Sequence, residues 1–212
     1  MADTFQALTE RLRNRLMQPL PGLEAQIRMT SIRNARLDPH FEVPKDARPS
    51  SVLILYYPLD NEPTVVFIRR PLYEGIHSGQ ISFPGGQAEP SDSSAADTAL
   101  RESWEETGIR PDSVTLQGSI TPLYIPPSRF LVTPFVGYSL SRPNFVRDPQ
   151  EVDAILEIPL AKFYDPRNIR EVDILIREGY SVHAPAYVID EEVIWGATAM
   201  MFSEFLELAR KD

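Results

Sequence analysis

Cysteine is missing altogether. That absence excludes a disulfide framework, a thiolate zinc site and a cysteine nucleophile, so any metal must be held by oxygen or by imidazole, of which only 3 histidines offer any. Long apolar runs are missing too: none approaches the ~18 residues of a membrane helix. The first residues lack the basic-then-apolar layout of a secretory signal, so a cytoplasmic protein without a membrane partner is expected. Basic residues are in deficit, with 21 against 30 acidic and a net charge of −9. Such a balance argues against attraction to nucleic acid or an anionic membrane surface. An anionic small molecule would need local help, which cations bound among carboxylates can supply.

What is present suits an ordinary folded domain: 212 residues with 42% hydrophobic content are enough to bury one sizeable core. Phe5, Leu8, Leu12 and Leu16 recur at helical spacing between Thr4 and Met17, which predicts an amphipathic entry helix ended by Pro19 and Pro21. From Pro19 to Pro49 no periodicity is sustained, and an irregular arm is expected. The division is therefore 1–48 for the helix and arm and 49–212 for the main domain. Val52–Tyr57 and Thr64–Ile68 read as paired strands around a Pro58–Pro63 turn. Further strand-like runs lie at Val114–Thr121, Phe130–Tyr138, Val152–Ile158, Ile169–Ile176 and Ala184–Ile189. Helices are expected near Ser94–Thr107 and Thr198–Ala209, the latter with Met201, Phe205 and Leu208 on one face. The order implies an α/β class with a mixed sheet between helices. The two terminal helices also offer surfaces for a two-fold contact, hence a possible homodimer.

Chemistry concentrates in Arg101-Glu102-Ser103-Trp104-Glu105-Glu106-Thr107-Gly108. On a helix, positions three and four apart lie roughly 5–6 Å apart at Cβ, so Glu102, Glu105 and Glu106 share a face. Like charges so close destabilise a helix unless cations or solvent intervene. Hard oxygen donors of this kind favour Mg²⁺ or Mn²⁺. On the far side Ala96, Ala99, Leu100, Ser103 and Thr107 are small enough to let the backbone lie against a sheet. Ser94 with Asp97 suits the start of the helix and Gly108 its left-handed end. Arg101, four residues before Glu105, can hold that carboxylate, and Gly85-Gly86 lets backbone approach closely, with a carbonyl to spare for a metal. Glutamates alone would indicate only a solvated face. The glycine pair, the arginine and the terminal glycine make it a candidate site.

Together these residues resemble the signature box of the Nudix hydrolases, a family of α/β/α sandwiches that cleave nucleoside diphosphates linked to another moiety. Arg70 and His77-Ser78-Gly79-Gln80-Ile81-Ser82-Phe83-Pro84-Gly85-Gly86 look like the segment before the box in the coenzyme A pyrophosphatase branch. Between Gly86 and Arg101 stand 14 residues, one more than is commonest in the family and fitting that branch, with Asp92 near the usual upstream glutamate. Val132–Gly137, Glu151 through Leu160 and Trp195–Ala199 are similar to it as well, so the likeness runs over about residues 50–205. Pro71 and Gly75 depart from the pattern, Gly75 where a second arginine would contact a phosphate; Arg69 or Arg129 would have to compensate.

The resemblance implies Glu102, Glu105 and Glu106, with the Gly85 carbonyl, as ligands of Mg²⁺ or Mn²⁺. It implies Glu105, Arg101 and Glu151 as catalytic machinery, with Glu105 either ligand or base and Glu151 an additional base or ligand. Arg70, His77, Gln80 and Phe83 fall on the substrate side. For Arg70 the alternative is a surface ion pair, for His77 ordering of the loop, and for Phe83 and Trp195 a place in the core or pocket wall. The implied reaction turns coenzyme A or an acyl-CoA into phosphopantetheine and adenosine 3′,5′-bisphosphate. ADP-ribose or another nucleotide sugar is the alternative substrate. A non-catalytic nucleotide-binding module is the alternative of another class.

Overall fold

A computed structural model describes residues 4–30, 42–71, 79–177 and 180–211. Its axis is β1 (Arg48–Leu59), in which every residue from Ser50 to Tyr57 is buried. Burial on both faces follows from the alternation of the strand. Leu53, Leu55 and Tyr57 pack with Val66, Ala99 and Ile109 on one side. Val52, Ile54 and Tyr56 join the larger core on the other. A helix is thus required on each face.

β1 turns into β2 (Glu62–Arg69) through Asp60-Asn61, both with positive φ (49° and 65°). This is the tight mirror-image turn that suits strand twist. The strands continue through Pro58 and Pro63, which pair with each other, so the turn is shorter than the two prolines suggest. Along one edge of β1 its second half pairs with β2, while Ser50–Val52 pair with β4 (Gly85–Gln87). β3 (Ile81–Ser82) pairs with the end of β2. The expected helix follows as α3 (Ala95–Thr107), then β5 (Thr115–Ser119), β6 (Leu123–Ile125) and β7 (Phe130–Tyr138). β7 lies parallel to β1 and takes β5 and β6 on its far edge. β8 (Ala154–Pro159) covers the outer edge of β2, completing a mixed sheet of 8 strands. β9 (Ile169–Arg177), β10 (Tyr180–Ile189) and β11 (Glu192–Trp195) form a separate antiparallel sheet.

The final helix, α4 (Gly196–Ala209), lies on the sheet face opposite α3, with Phe202 and Phe205 fully buried. Beside it runs the entry helix α1 (Phe5–Leu16), whose Leu8 and Leu12 are buried. Arg11 and Arg15 donate to the main-chain oxygens of Ala209, Glu207 and Leu208. Cations here complement the carbonyl end of α4. The apolar faces expected to make a two-fold contact are therefore spent inside the chain. The described first part of the arm, residues 19–30, has regular structure that its composition does not suggest, with α2 (Gly22–Gln26) and a 3-10 turn at Ile27–Met29. Buried Glu204 of α4 anchors it, accepting from the Gly22 N–H (3.0 Å), Gln26 Nε2 (2.8 Å) and Thr121 Oγ1 (2.7 Å). Among the described residues no helix is long and apolar enough to cross a membrane.

Candidate active site

α3 is specified at both ends. Ser94 Oγ accepts from the Asp97 N–H at 3.2 Å, and Gly108 closes the helix at φ 74° with its N–H on the Trp104 carbonyl at 2.8 Å. Its small face, with Ala99, Ser103 and Thr107 fully buried, lets the helix lie close to β1 and β4. That closeness brings the glutamates against the Gly85-Gly86 strand. Glu106, 2% exposed, accepts from the Gly85 N–H at 2.8 Å. A Cβ on Gly86 would stand 2.4 Å from Glu102 Oε2, so the missing side chain is the room in which that carboxylate lies. The Gly86 carbonyl is engaged by the Ser50 hydroxyl at 2.6 Å.

Burial dominates the electrostatics. It pushes the Glu106 carboxyl up to about 8, with Glu102 and Glu151 adding to the rise while the Gly85 N–H and the Arg70 cation oppose it. Glu102 is raised chiefly by burial as well, against the pull of Arg101. Three of the residues singled out in the sequence, Arg70, Glu102 and Glu151, thus bear on a fourth, Glu106, at one end of the sheet. Glu151 does so from an exposed turn before β8 rather than from a strand.

Arg101 organises the outer half of the site. Its Nε and Nη2 form a side-on fork with Asp92 (2.8 and 3.0 Å), and its Nη1 reaches Glu102 (3.0 Å) and Glu105 (2.9 Å). The fork holds Asp92 well below the usual carboxylate range and raises Arg101 further. Asp92 also accepts from the Glu89 N–H (2.9 Å) and the Thr98 hydroxyl (2.8 Å), which pins the loop before α3. Sequence reasoning passed over this partnership; an acid nine residues before an arginine has no helical register to betray it. Asp92→Asn is expected to lower kcat/KM about tenfold, since a charge-assisted hydrogen bond contributes about 1.5–3 kcal/mol. Steady-state kinetics across a range of Mg²⁺ concentrations check this, with half-activation moving to higher metal.

Two expectations need correction. The glutamates share a face but do not converge: among the described residues no three carboxylate or imidazole groups come together as metal ligands would. Arg101 draws Glu105 outward, where its side chain is 53% exposed. Gly85 also meets the carboxylates through its N–H, as the donor to Glu106. Phe83, placed on the substrate side, is 1% exposed and packs on Phe67 at 4.8 Å and Phe202 at 5.7 Å. It belongs to the core, so Phe83→Leu is expected to cost about 1.5 kcal/mol in a urea melt while leaving KM unchanged.

Of the other substrate-side residues, the Arg70 N–H donates to the Gln80 carbonyl at 3.0 Å. His77 and Gly75 lie outside the described residues. Arg69 is paired with Asp153 and Glu192, and Arg129 with Asp46. A cavity of about 990 Å³ is lined by Met29, Pro63, Leu160, Phe163, Tyr187 and Leu206. Glu62, which also lines it, opens β2 and Arg69 ends it, so this cavity is at the other end of that strand from the carboxylates.

In kind, though not gathered as a group of three among the described residues, the donor set suits a hard divalent cation. It offers oxygen ligands only, and burial lifts a carboxyl that a nearby cation would return to its charged form.

An α/β/α domain with this glutamate helix behind a Gly-Gly strand has the make-up of a Nudix-type hydrolase. Residues 47–175 match the family model described as NUDIX domain. Over 138 residues the chain is 37% identical to the protein described as Uncharacterized Nudix hydrolase NudL from Yersinia pestis (strain Pestoides F), covering 65% of this chain and 68% of that one. The same figures hold for the like-named protein of Yersinia pseudotuberculosis serotype O:1b (strain IP 31758). A MutT/nudix family protein from Enterococcus faecalis superimposes with a TM-score of 0.48 at 13% identity, over 88% of this chain and 73% of that one. The chain belongs to the Nudix family. It is a Nudix hydrolase, an enzyme of the class that acts on nucleoside diphosphate derivatives and generally uses divalent metal ions.

Proposed function

We propose that this enzyme hydrolyses the diphosphate of coenzyme A or an acyl-CoA to phosphopantetheine and adenosine 3′,5′-bisphosphate, in the cytoplasm, with Mg²⁺ or Mn²⁺. The observation that carries the hydrolytic reading is a close pair of carboxylates, buried Glu106 on the Gly85 N–H and half-buried Glu102 against Gly86, with the charges of Arg70 and Glu151 bearing on Glu106. The coenzyme A reading rests on the likeness of Arg70 and His77–Gly86 to that branch of the family.

In this mechanism Glu102 and Glu106, with Glu105 beside them on α3, would hold the ion. When bound, the ion supplies positive charge to the diphosphate oxygens and acidifies water, together worth several kcal/mol. Arg70 takes a phosphate oxygen through its guanidinium fork. Glu151 accepts the proton of the attacking water as its oxygen bonds to phosphorus. The anhydride P–O bond breaks, and the leaving phosphate keeps the bridging oxygen and its electron pair. Arg101 serves by orienting Glu102 and Glu105. The division into a helix-and-arm segment, 1–48, and a hydrolase domain, 49–212, belongs to the same reading.

The missing second arginine at Gly75 favours one other substrate class, ADP-ribose or a related nucleotide sugar. Cleavage of coenzyme A, ADP-ribose and NADH with added Mg²⁺ or Mn²⁺, each product resolved by chromatography, decides between them. Coenzyme A is expected to be cut with the highest kcat/KM. Cleavage of the other two alone would overturn the coenzyme A reading, and cleavage of none would favour a binding module.

A further inference from the structure

Residues 139–153 join β7 to β8 without regular structure, yet the stretch from 144 onward is held at both ends of the site. The Val146 N–H donates to the Thr107 carbonyl at 2.8 Å and the Asp148 N–H to the Glu106 carbonyl at 3.0 Å. These are carbonyls of the last turn of α3, which have no partner within the helix. A Cβ on Gly108 would stand 2.8 Å from the Val146 nitrogen, so this glycine also makes room for the connection. At the other end the Asp153 N–H donates to the Arg69 carbonyl at 2.8 Å, and Val152 is fully buried.

Between those anchors the chain is folded back on itself. The Asp148 carbonyl accepts from the Glu151 and Val152 N–H groups at 3.2 and 2.8 Å. Asp148 Oδ1 accepts from the Gln150 N–H at 2.8 Å, and Arg147 Nη1 donates across the turn to the Val152 carbonyl at 2.8 Å. The one carboxylate of this turn whose charge acts on both Glu102 and Glu106 is Glu151. We infer that Arg147 and the Asp148 carboxylate are positioning residues that fix Glu151 relative to Glu106, the turn being tied to Glu106's own carbonyl. The inference rests on the proton-accepting role given to Glu151 above. The side-chain hydrogen bonds of both residues lie within the turn itself, on the Val152 carbonyl and the Gln150 N–H on either side of Glu151.

The test is a double-mutant cycle: Arg147→Ala, Arg147→Lys and Asp148→Ala, each alone and with Glu151→Gln, assayed on coenzyme A and on ADP-ribose. Amide hydrogen exchange on the metal-free proteins runs beside it. Arg147→Ala and Asp148→Ala are expected to lower kcat about tenfold. KM should stay within about twofold. Arg147→Lys should recover most of the loss, and neither alanine variant should cost anything further once Glu151 is Gln. Exchange at residues 148–153 should quicken while α3 is unchanged. Equal losses in both backgrounds, or unchanged exchange in the turn, would overturn the inference. Full activity of Glu151→Gln alone would remove the role given to Glu151 and the inference with it, leaving metal-dependent hydrolysis intact. If the wild-type chain cuts neither compound the substrate reading fails by itself, and quickened or unchanged exchange still supports or overturns the positioning of the turn.

Discussion

Glu106→Gln is expected to lower metal-dependent hydrolysis by at least about 10³-fold, the scale of a metal's several kcal/mol of charge stabilisation. The same change should leave the fold intact. Gln keeps the shape and can still accept from the Gly85 N–H, so what disappears is the charge. A pH series on the metal-free protein separates the two effects. Folding raises the Glu106 carboxyl from 4.5 to about 8, so its favourable contribution to stability is complete below about 4.5 and is lost as pH rises through 8. Above pH 8 the metal-free wild type should therefore melt lower than Glu106→Gln, by on the order of a few °C, while near pH 4 the two should coincide. Thermal melts at fixed ionic strength check this. A variant that is inactive yet more stable in alkali cannot owe its inactivity to unfolding.

Gly85→Ala is expected to cost about 3 kcal/mol or more and to remove activity with it. Gly85 stands at φ 149°, where side chains are strained, and a Cβ there would lie 2.3 Å from the Ser51 carbonyl oxygen and 2.6 Å from the Val52 Cα. Both are backbone atoms of β1, so relief means parting β4 from β1 and carrying off the N–H that holds Glu106. At Gly86 the obstacle is the far end of the Glu102 side chain. Gly86→Ala should accordingly fold well and show its damage in metal dependence. Chemical denaturation of both variants beside Mg²⁺ titrations of activity distinguishes a loss of strand pairing from a displaced carboxylate.

Much of the site's scaffold is legible before any coordinates. Ser94, the small face of α3 and Gly108 mark out a helix that is capped, close-packed and closed, and the structure realises each of these features. Local pattern suffices there because helix ends and helix faces are set by neighbours in sequence. β6 and β11, with 3 and 4 residues, are too short for an alternation to register, and β11 follows an Asp190-Glu191 turn that lacks the expected glycine. α2 hides between prolines because its order comes from the buried Glu204 of a helix far along the chain. The partnership of Asp92 with Arg101 and the turn that carries Glu151 onto the end of α3 are likewise tertiary. Phe83 shows the converse difficulty: an aromatic beside a glycine-rich strand has the same appearance whether it faces a ligand or, as here, Phe67 and Phe202.

The most direct test of the central claim, that the α3 carboxylates hold the ion on which hydrolysis depends, is Mn²⁺ binding followed by electron paramagnetic resonance. Wild type, Glu106→Gln and Glu102→Gln would be titrated at neutral pH without substrate. Saturable binding by the wild type that weakens at least about tenfold in either variant is the expected result. Unchanged Mn²⁺ affinity in both variants would contradict it and place the ion elsewhere in the chain.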